Sequence, residues 1–245
     1  MTKEATPNVW DRGRWAKVRA VEFDFMTRYI DEHLRRRVAP AGKTFVELGA
    51  GTGRLGHMFL AAGASKVTLV DSSEKAIALM GSLFKDEDPA RYEIVRGDVL
   101  AFAPAEPFDV SFSSGLVEHF AGVDRPAIVR KHVALARESS IILHPSNRLY
   151  NRIFDRTPMA RRRYGFAQTY AEAEIEEHLS GFGGPLHIEH ERFHFFYTVP
   201  LLHNWELANR LCEKSFLGTR WGGLCLTTIE LAPSAPPSAP PSAPR

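Results

Sequence analysis

The chain has few cysteines, little net charge, no long apolar run and no compact set of metal ligands. Two cysteines, Cys212 and Cys225, in 245 residues are too few for a disulfide framework. They are expected to be reduced and buried, as in a cytoplasmic protein. A formal net charge of +2 excludes a broad basic field, so a nucleic-acid partner is not expected. No apolar run approaches the roughly 20 residues of a membrane span, and no membrane partner is expected. The opening stretch MTKEATPNVWDRGRW carries charge without an apolar centre, unlike a secretory signal. The histidines of HIEHERFHFFY do not have the spacing of a metal site. On a strand, His190 and His194 would share one face and His187 the other.

What is present is a globular composition, 44% hydrophobic, sufficient for the core of one domain over residues 1–231. The remainder, 232–245, is a Pro/Ala/Ser-rich tail expected to be extended and polyproline-like. Apolar residues from Trp15 to Leu34 recur at helical spacing within 12–38, which predicts an N-terminal helical cap over 1–40.

The segment TFVELGAGTGRLG, Thr44 to Gly56, carries the most information. An apolar strand ends near the acid Glu47. A loop follows with Gly49, Ala50, Gly51 and Gly53, and a helix starts near Arg54. Glycines serve where backbone turns sharply or approaches a ligand, because a Cβ would clash. The first strand-to-helix turn of a doubly wound sheet is a nucleotide-cofactor site. Gly51, Gly53 and Gly56 also satisfy the dinucleotide pattern, with Asp71 at the distance of a ribose acid. Glu47 opposes that reading, since a carboxylate there would repel a pyrophosphate at the helix N-terminus. It suits a cationic methionyl group instead.

Further segments agree. Strands are predicted at Lys66–Val70, Tyr92–Val95, Phe108–Ser113, Ser140–Leu143, Leu186–Phe196 and Leu224–Leu231, and helices at Arg125–Ala136 and Ala171–Leu179. Asp71 and Ser72 follow the second strand, where a carboxylate can accept from both ribose hydroxyls. Asp98 and Val99 follow the third, one for an exocyclic amine and one for a ring face. Ser114, Gly115 and the run Glu118-His119-Phe120 follow the fourth. The set VELGAGTG, LVDSS, GDV and FDVSFSSGLVEHF resembles the class I S-adenosylmethionine-dependent methyltransferases over about residues 40 to 145. The segments read as an α/β, doubly wound, seven-stranded, mostly parallel sheet with an antiparallel last strand and a helical insertion over about 201–216, and the resemblance implies a Rossmann-like strand order of 3-2-1-4-5-7-6. It also implies S-adenosylmethionine as cofactor, S-adenosylhomocysteine as product, and a small-molecule substrate methylated at oxygen or nitrogen. Open alternatives are an RNA or protein methyltransferase of the same fold, a nicotinamide-dependent dehydrogenase, and a non-catalytic cofactor binder.

Candidates for chemistry lie after the fourth and fifth strands. Glu118-His119 resembles the Glu-His step of metal-dependent methyltransferases. Position 115 is Gly115 where those families have a first glutamate, so no tight metal site is expected. His119 is a general base, a substrate contact, or a loop residue bonded to backbone. His144 is either a second base or a strand-end histidine packed under the next helix. Substrate contacts are expected from Trp10, Trp15, Asn147, Arg148 and Tyr150, and a lid from 145–180. Arg148, Arg152 and Arg156 recur every fourth residue. They bind an anionic substrate or form a solvated helix face.

Overall fold

The computed structural model describes residues 23–194, 197, 205–213, 215 and 220–232. The central strands β1 (Thr44–Leu48), β2 (Lys66–Asp71), β4 (Phe108–Ser114) and β5 (Ala136–Pro145) are mostly buried along their length, as expected of strands covered on both faces. With β3 (Tyr92–Arg96), β6 (Leu186–Phe193) and β7 (Leu224–Leu231) they form a seven-stranded sheet in the order β3-β2-β1-β4-β5-β7-β6. This is the order the resemblance implies. Neighbours from β3 through β5 pair in parallel, and β7 runs antiparallel to both β5 and β6.

Side chains alternate across the sheet, so each strand feeds two cores. One lies under α1 (Phe25–Arg37), α2 (Arg54–Ala61) and α3 (Glu74–Leu83), where Phe45, Phe59, Phe112, Tyr29 and Phe84 are fully buried. Phe59 sits 4.7 Å from Phe45 and 5.0 Å from Phe112, centroid to centroid. Burying each such ring stabilises the fold by about 1.5–3 kcal/mol. The other core lies under α4 (Asp124–Ala134) and α7 (Glu172–Leu179), where Val46, Leu48, Ile128, Ile142 and Ile175 meet. Two short helices, α5 (Leu149–Asp155) and α6 (Pro158–Tyr164), follow β5. The helix α8 (Glu206–Glu213) falls inside the predicted insertion.

A charged network pins α1 to β6 and α8. Buried His33 lies 2.8 Å from Glu191 through Nδ1, and Arg37 donates to Glu191 and Glu189. Burial raises the Glu191 carboxyl, but hydrogen bonds from His33 and Arg37 outweigh it and bring it down to about 2. Arg210 donates through both terminal nitrogens to Glu32, each at 2.9 Å.

Three expectations are corrected. The described part of the N-terminal helix starts at Phe25, where the Asp24 side chain accepts from Thr27 N; its predicted start near residue 12 lies outside the described residues. The strand predicted to Phe196 stops at Phe193, because His194 adopts φ 58° and leaves the extended region. His190 and His194 therefore do not share a sheet face. His190 bonds Thr227 and Glu176, while the His194 ring packs 5.6 Å from Tyr29. Of the cysteines, Cys225 is buried, with its thiol pushed up to about 12 by burial, but Cys212 is only half-buried.

Candidate functional site

The strand order reverses between β1 and β4, so a crevice opens at their C-terminal ends, the position where open α/β sheets take ligands. The glycine loop lines it. Gly49, Gly51 and Gly53 have φ of 65°, 57° and 71°, a region closed to most side chains. Close packing reinforces this, since a Cβ on Gly49 would lie 2.6 Å from Leu116 and one on Gly53 2.8 Å from Met80. The loop is tied to β2: Gly49 and Ala50 donate to Val70 O, and Gly51 N donates to the Asp71 carboxylate at 2.9 Å.

Asp71 is buried, and its other oxygen accepts from Ser73 N at 2.9 Å. Burial raises its carboxyl, opposed by the backbone N–H groups of Ser73, Gly51 and Ser72. Asp98 is exposed, and one of its oxygens accepts from Leu100 N. A Cβ on Gly97 would meet open space. Val99 packs into the second core beside Val70. Ser114 ends β4 and Gly115, exposed at φ 71°, donates to Leu143 O.

Glu47 lies beneath the loop. Its carboxylate accepts from Gly56 N in the first turn of α2 at 3.0 Å, which satisfies an N–H with no partner inside the helix. Burial pushes this carboxyl up to about 8, with the nearby Asp71 charge adding to the rise. A carboxyl raised on folding binds more protons folded than unfolded, so stability falls as pH rises from the ordinary carboxylate value of 4.5 towards 8. Glu47→Gln keeps an acceptor for Gly56 and removes the ionisation. It should stabilise the ligand-free protein by on the order of 3 kcal/mol at pH 7. Thermal unfolding between pH 5 and pH 9 would test this; parallel profiles for both proteins would refute the buried ionisation.

Across the crevice, Val117–His119 form a short 3-10 turn. Glu118 is buried, and its Oε2 has no hydrogen-bond partner. Burial raises its carboxyl against the opposing charge of His119. His119 Nδ1 lies 2.6 Å from Phe166 O. A carbonyl can only accept, so this bond assigns the proton to Nδ1 and leaves Nε2 as an acceptor. Asp155, on α5, is raised to about 6 by burial, opposed by the His119 charge and by Thr169 N–H.

The other predicted contacts fall as follows. His144 is fully buried on β5, 5.9 Å from the Tyr170 ring, and burial lowers it to about 4. This is the packed strand-end alternative, and the ring is closed to solvent. Asn147 is exposed and accepts from Thr169 Oγ1. Arg148 reaches over the Trp221 ring. The Tyr150 hydroxyl donates to Trp221 O at 2.7 Å, so it braces α5 against the segment before β7. Trp10 and Trp15 lie outside the described residues.

Two residues went unpredicted, Asp155 and Arg125. Buried Arg125 pairs with Glu174, lies 3.5 Å over the Tyr170 ring, and donates to Gln168 O and Thr169 O. It holds the segment that carries the Phe166 carbonyl to His119. Below, His132 accepts from Ser113 through Nε2 and is lowered to about 4 by burial, which fixes the end of β4 with a neutral ring.

A glycine-rich loop over the buried acid Glu47, the buried acid Asp71 ending β2 and an open third turn at Gly97 gather at the C-terminal ends of a seven-stranded sheet with the class I methyltransferase strand order. The comparisons agree. A family model described as a methyltransferase domain matches residues 45–139. Ribosomal RNA small subunit methyltransferase A of Bradyrhizobium diazoefficiens is 36% identical over 80 residues, 31% of this chain and 28% of that protein. The match thus spans less than a third of that curated relative. Magnesium protoporphyrin IX methyltransferase from Synechocystis PCC 6803, solved with bound S-adenosylhomocysteine, superposes with a TM-score of 0.57 at 14% identity over 91% of each chain. The [4+2]-cyclase SpnF gives 0.59 at 15% identity, over 85% of this chain and 82% of that one. Residues 45–139 thus match a methyltransferase domain, and the chain has the fold of the class I methyltransferases; S-adenosylmethionine is the methyl donor that domain family uses.

Proposed function

We propose that this chain methylates an oxygen or nitrogen of a small molecule, with His119 as general base. The observation that carries the reading is the His119–Phe166 bond, which leaves Nε2 free to accept a proton. The residues present fit the cofactor. Asp71 would accept from the ribose hydroxyls, Asp98 would take the exocyclic amine, and Gly49, Gly51 and Gly53 would admit close backbone contact. Glu47, protonated when the site is empty, can ionise beneath a cationic methionyl group. S-adenosylmethionine supplies an electrophilic methyl group when bound.

The chain's own residues then position and deprotonate the acceptor. An alcohol or phenol needs a base at the attacking oxygen, whereas a neutral amine needs little help. His119 supplies that base, and buried Glu118 and Asp155 favour the imidazolium that forms. Asn147 and Arg148 stand after β5, where substrate enters. The small-molecule reading draws support from the porphyrin methyltransferase neighbour. Fold alone does not fix chemistry, as the cyclase neighbour illustrates.

A second reading, methylation of RNA, is favoured by the ribosomal RNA methyltransferase match. Calorimetry with S-adenosylhomocysteine and with NADH, followed by a small-molecule and RNA screen with labelled methyl donor, separates these readings. Micromolar S-adenosylhomocysteine binding and a labelled small molecule are expected. NADH binding alone would overturn the cofactor assignment, and labelled RNA alone would overturn the substrate class.

A further inference from the structure

We propose that the outward face of α5 and α6 docks the protein on an anionic lipid surface. The inward side of α5 is committed to the fold. Asn151 is buried and donates to Ser146 O and Gly223 O at 2.8 Å each, and Tyr150 braces Trp221. The outward positions follow at steps of three and four, as one helix face requires. They are Leu149, Arg152, Ile153 and Arg156. Leu149 is 67% exposed and Ile153 58%. On α6 the pattern continues, with Ala160 buried and Met159, Arg161 and Arg162 exposed.

This reverses the usual arrangement, in which an apolar helix stripe faces the core. Here aliphatic side chains and arginines share the solvent face. Many arginines elsewhere are ion-paired, such as Arg37 with Glu191 and Arg210 with Glu32, and Arg28, Arg91 and Arg130 donate to backbone carbonyls. Among the described residues, Arg152, Arg156, Arg161 and Arg162 make no ion pair. The only acid between 148 and 166 is Asp155, and it turns inward towards His119.

Charge complementarity calls for an anionic partner, and the aliphatic residues call for one with an apolar interior. A lipid surface offers both. Phosphate headgroups meet the guanidinium forks, and Leu149, Ile153 and Met159 enter the acyl boundary. RNA would satisfy the arginines but leave the aliphatic residues uncovered, because its bases are held by aromatic stacking. A second copy meeting this face with its own would set arginine against arginine. Docking needs no spanning segment, and among the described residues no helix is long and apolar enough to cross a membrane. The inference thus departs from the sequence-based expectation of no membrane partner. The inference stands on the surface alone and does not depend on the proposed reaction.

The test is cosedimentation with vesicles of phosphatidylcholine alone, and of phosphatidylcholine and phosphatidylglycerol in equal parts. The protein should pellet with the mixed vesicles only and be released by added salt. Arg152→Gln with Arg156→Gln should lower partitioning roughly 30-fold, given two basic contacts at an anionic surface. Leu149→Ser with Ile153→Ser should lower it by about tenfold or more. Unchanged S-adenosylhomocysteine binding would show that these variants fold, and Arg161→Gln with Arg162→Gln replaces any that do not. No pelleting, equal pelleting with neutral vesicles, or pelleting indifferent to both double variants would overturn the proposal. So would tight binding of a single-stranded RNA without vesicle binding, which would assign the face to RNA.

Discussion

Replacing His119 by alanine should cut turnover roughly 100- to 10,000-fold, the range for losing a general base, while leaving S-adenosylhomocysteine affinity unchanged. The argument rests on proton placement. Phe166 O accepts a hydrogen bond from Nδ1–H at 2.6 Å, so Nε2 keeps its lone pair. Around it, Glu118 has a buried oxygen without a partner, and Asp155 is held up to about 6 by burial. Both carboxyls gain when the imidazole takes a proton. His119→Gln separates base from brace. Glutamine can still donate to the Phe166 carbonyl, but it cannot accept a proton near neutral pH. Equal loss in both variants, with partial recovery on added imidazole in the alanine variant, is the expected pattern. Full activity in the glutamine variant would make His119 a positioning residue, and full activity in both would return it to an ordinary loop histidine.

What could be read in advance follows the range of the forces involved. The glycine loop, the helix start at Arg54 and the acid ending β2 are local, because positive φ and strand-to-helix turns are set by adjacent residues. Strand β7 was legible for the same reason, and its predicted limits, Leu224–Leu231, match the structure. The strand order came from resemblance, since periodicity does not say which strands pair. Periodicity also passes over α3, although its Ser73 cap, which accepts from Ala76 N, is a local signal. Arg125 and Asp155 could not be found this way. Arg125 matters because it meets Glu174, 49 residues away, and Asp155 because α5 folds back beside His119. The Phe166 carbonyl that sets the His119 tautomer is a backbone atom 47 residues distant, invisible to any residue pattern. The roles of His144 and Tyr150 were ambiguous because the end of β5 serves both core and crevice. Burial of His144 and the Tyr150–Trp221 bond show what each touches.

Asp71→Ala should weaken S-adenosylhomocysteine binding roughly 10- to 100-fold while changing stability much less. Two effects on the ligand-free fold oppose each other. Removing the carboxylate strands the N–H groups of Gly51 and Ser73, which it now accepts at 2.9 Å each; leaving buried donors unpaired costs about 1–3 kcal/mol. The same change removes a buried acid whose carboxyl is raised because burial outweighs those bonds. Relief of that desolvation offsets part of the loss. No such offset exists for binding, where the ribose hydroxyls lose charge-assisted acceptors at about 1.5–3 kcal/mol. Asp71→Asn should fall between, since one amide oxygen cannot serve both backbone donors and the ribose, and its NH2 faces a donor. Calorimetry reads the affinity and thermal unfolding the stability of all three proteins. A large drop in melting temperature with unchanged affinity would limit Asp71 to bracing the glycine loop. An affinity loss with near-constant melting temperature would place the carboxylate on the bound ribose, because a purely structural acid would move the two readings together.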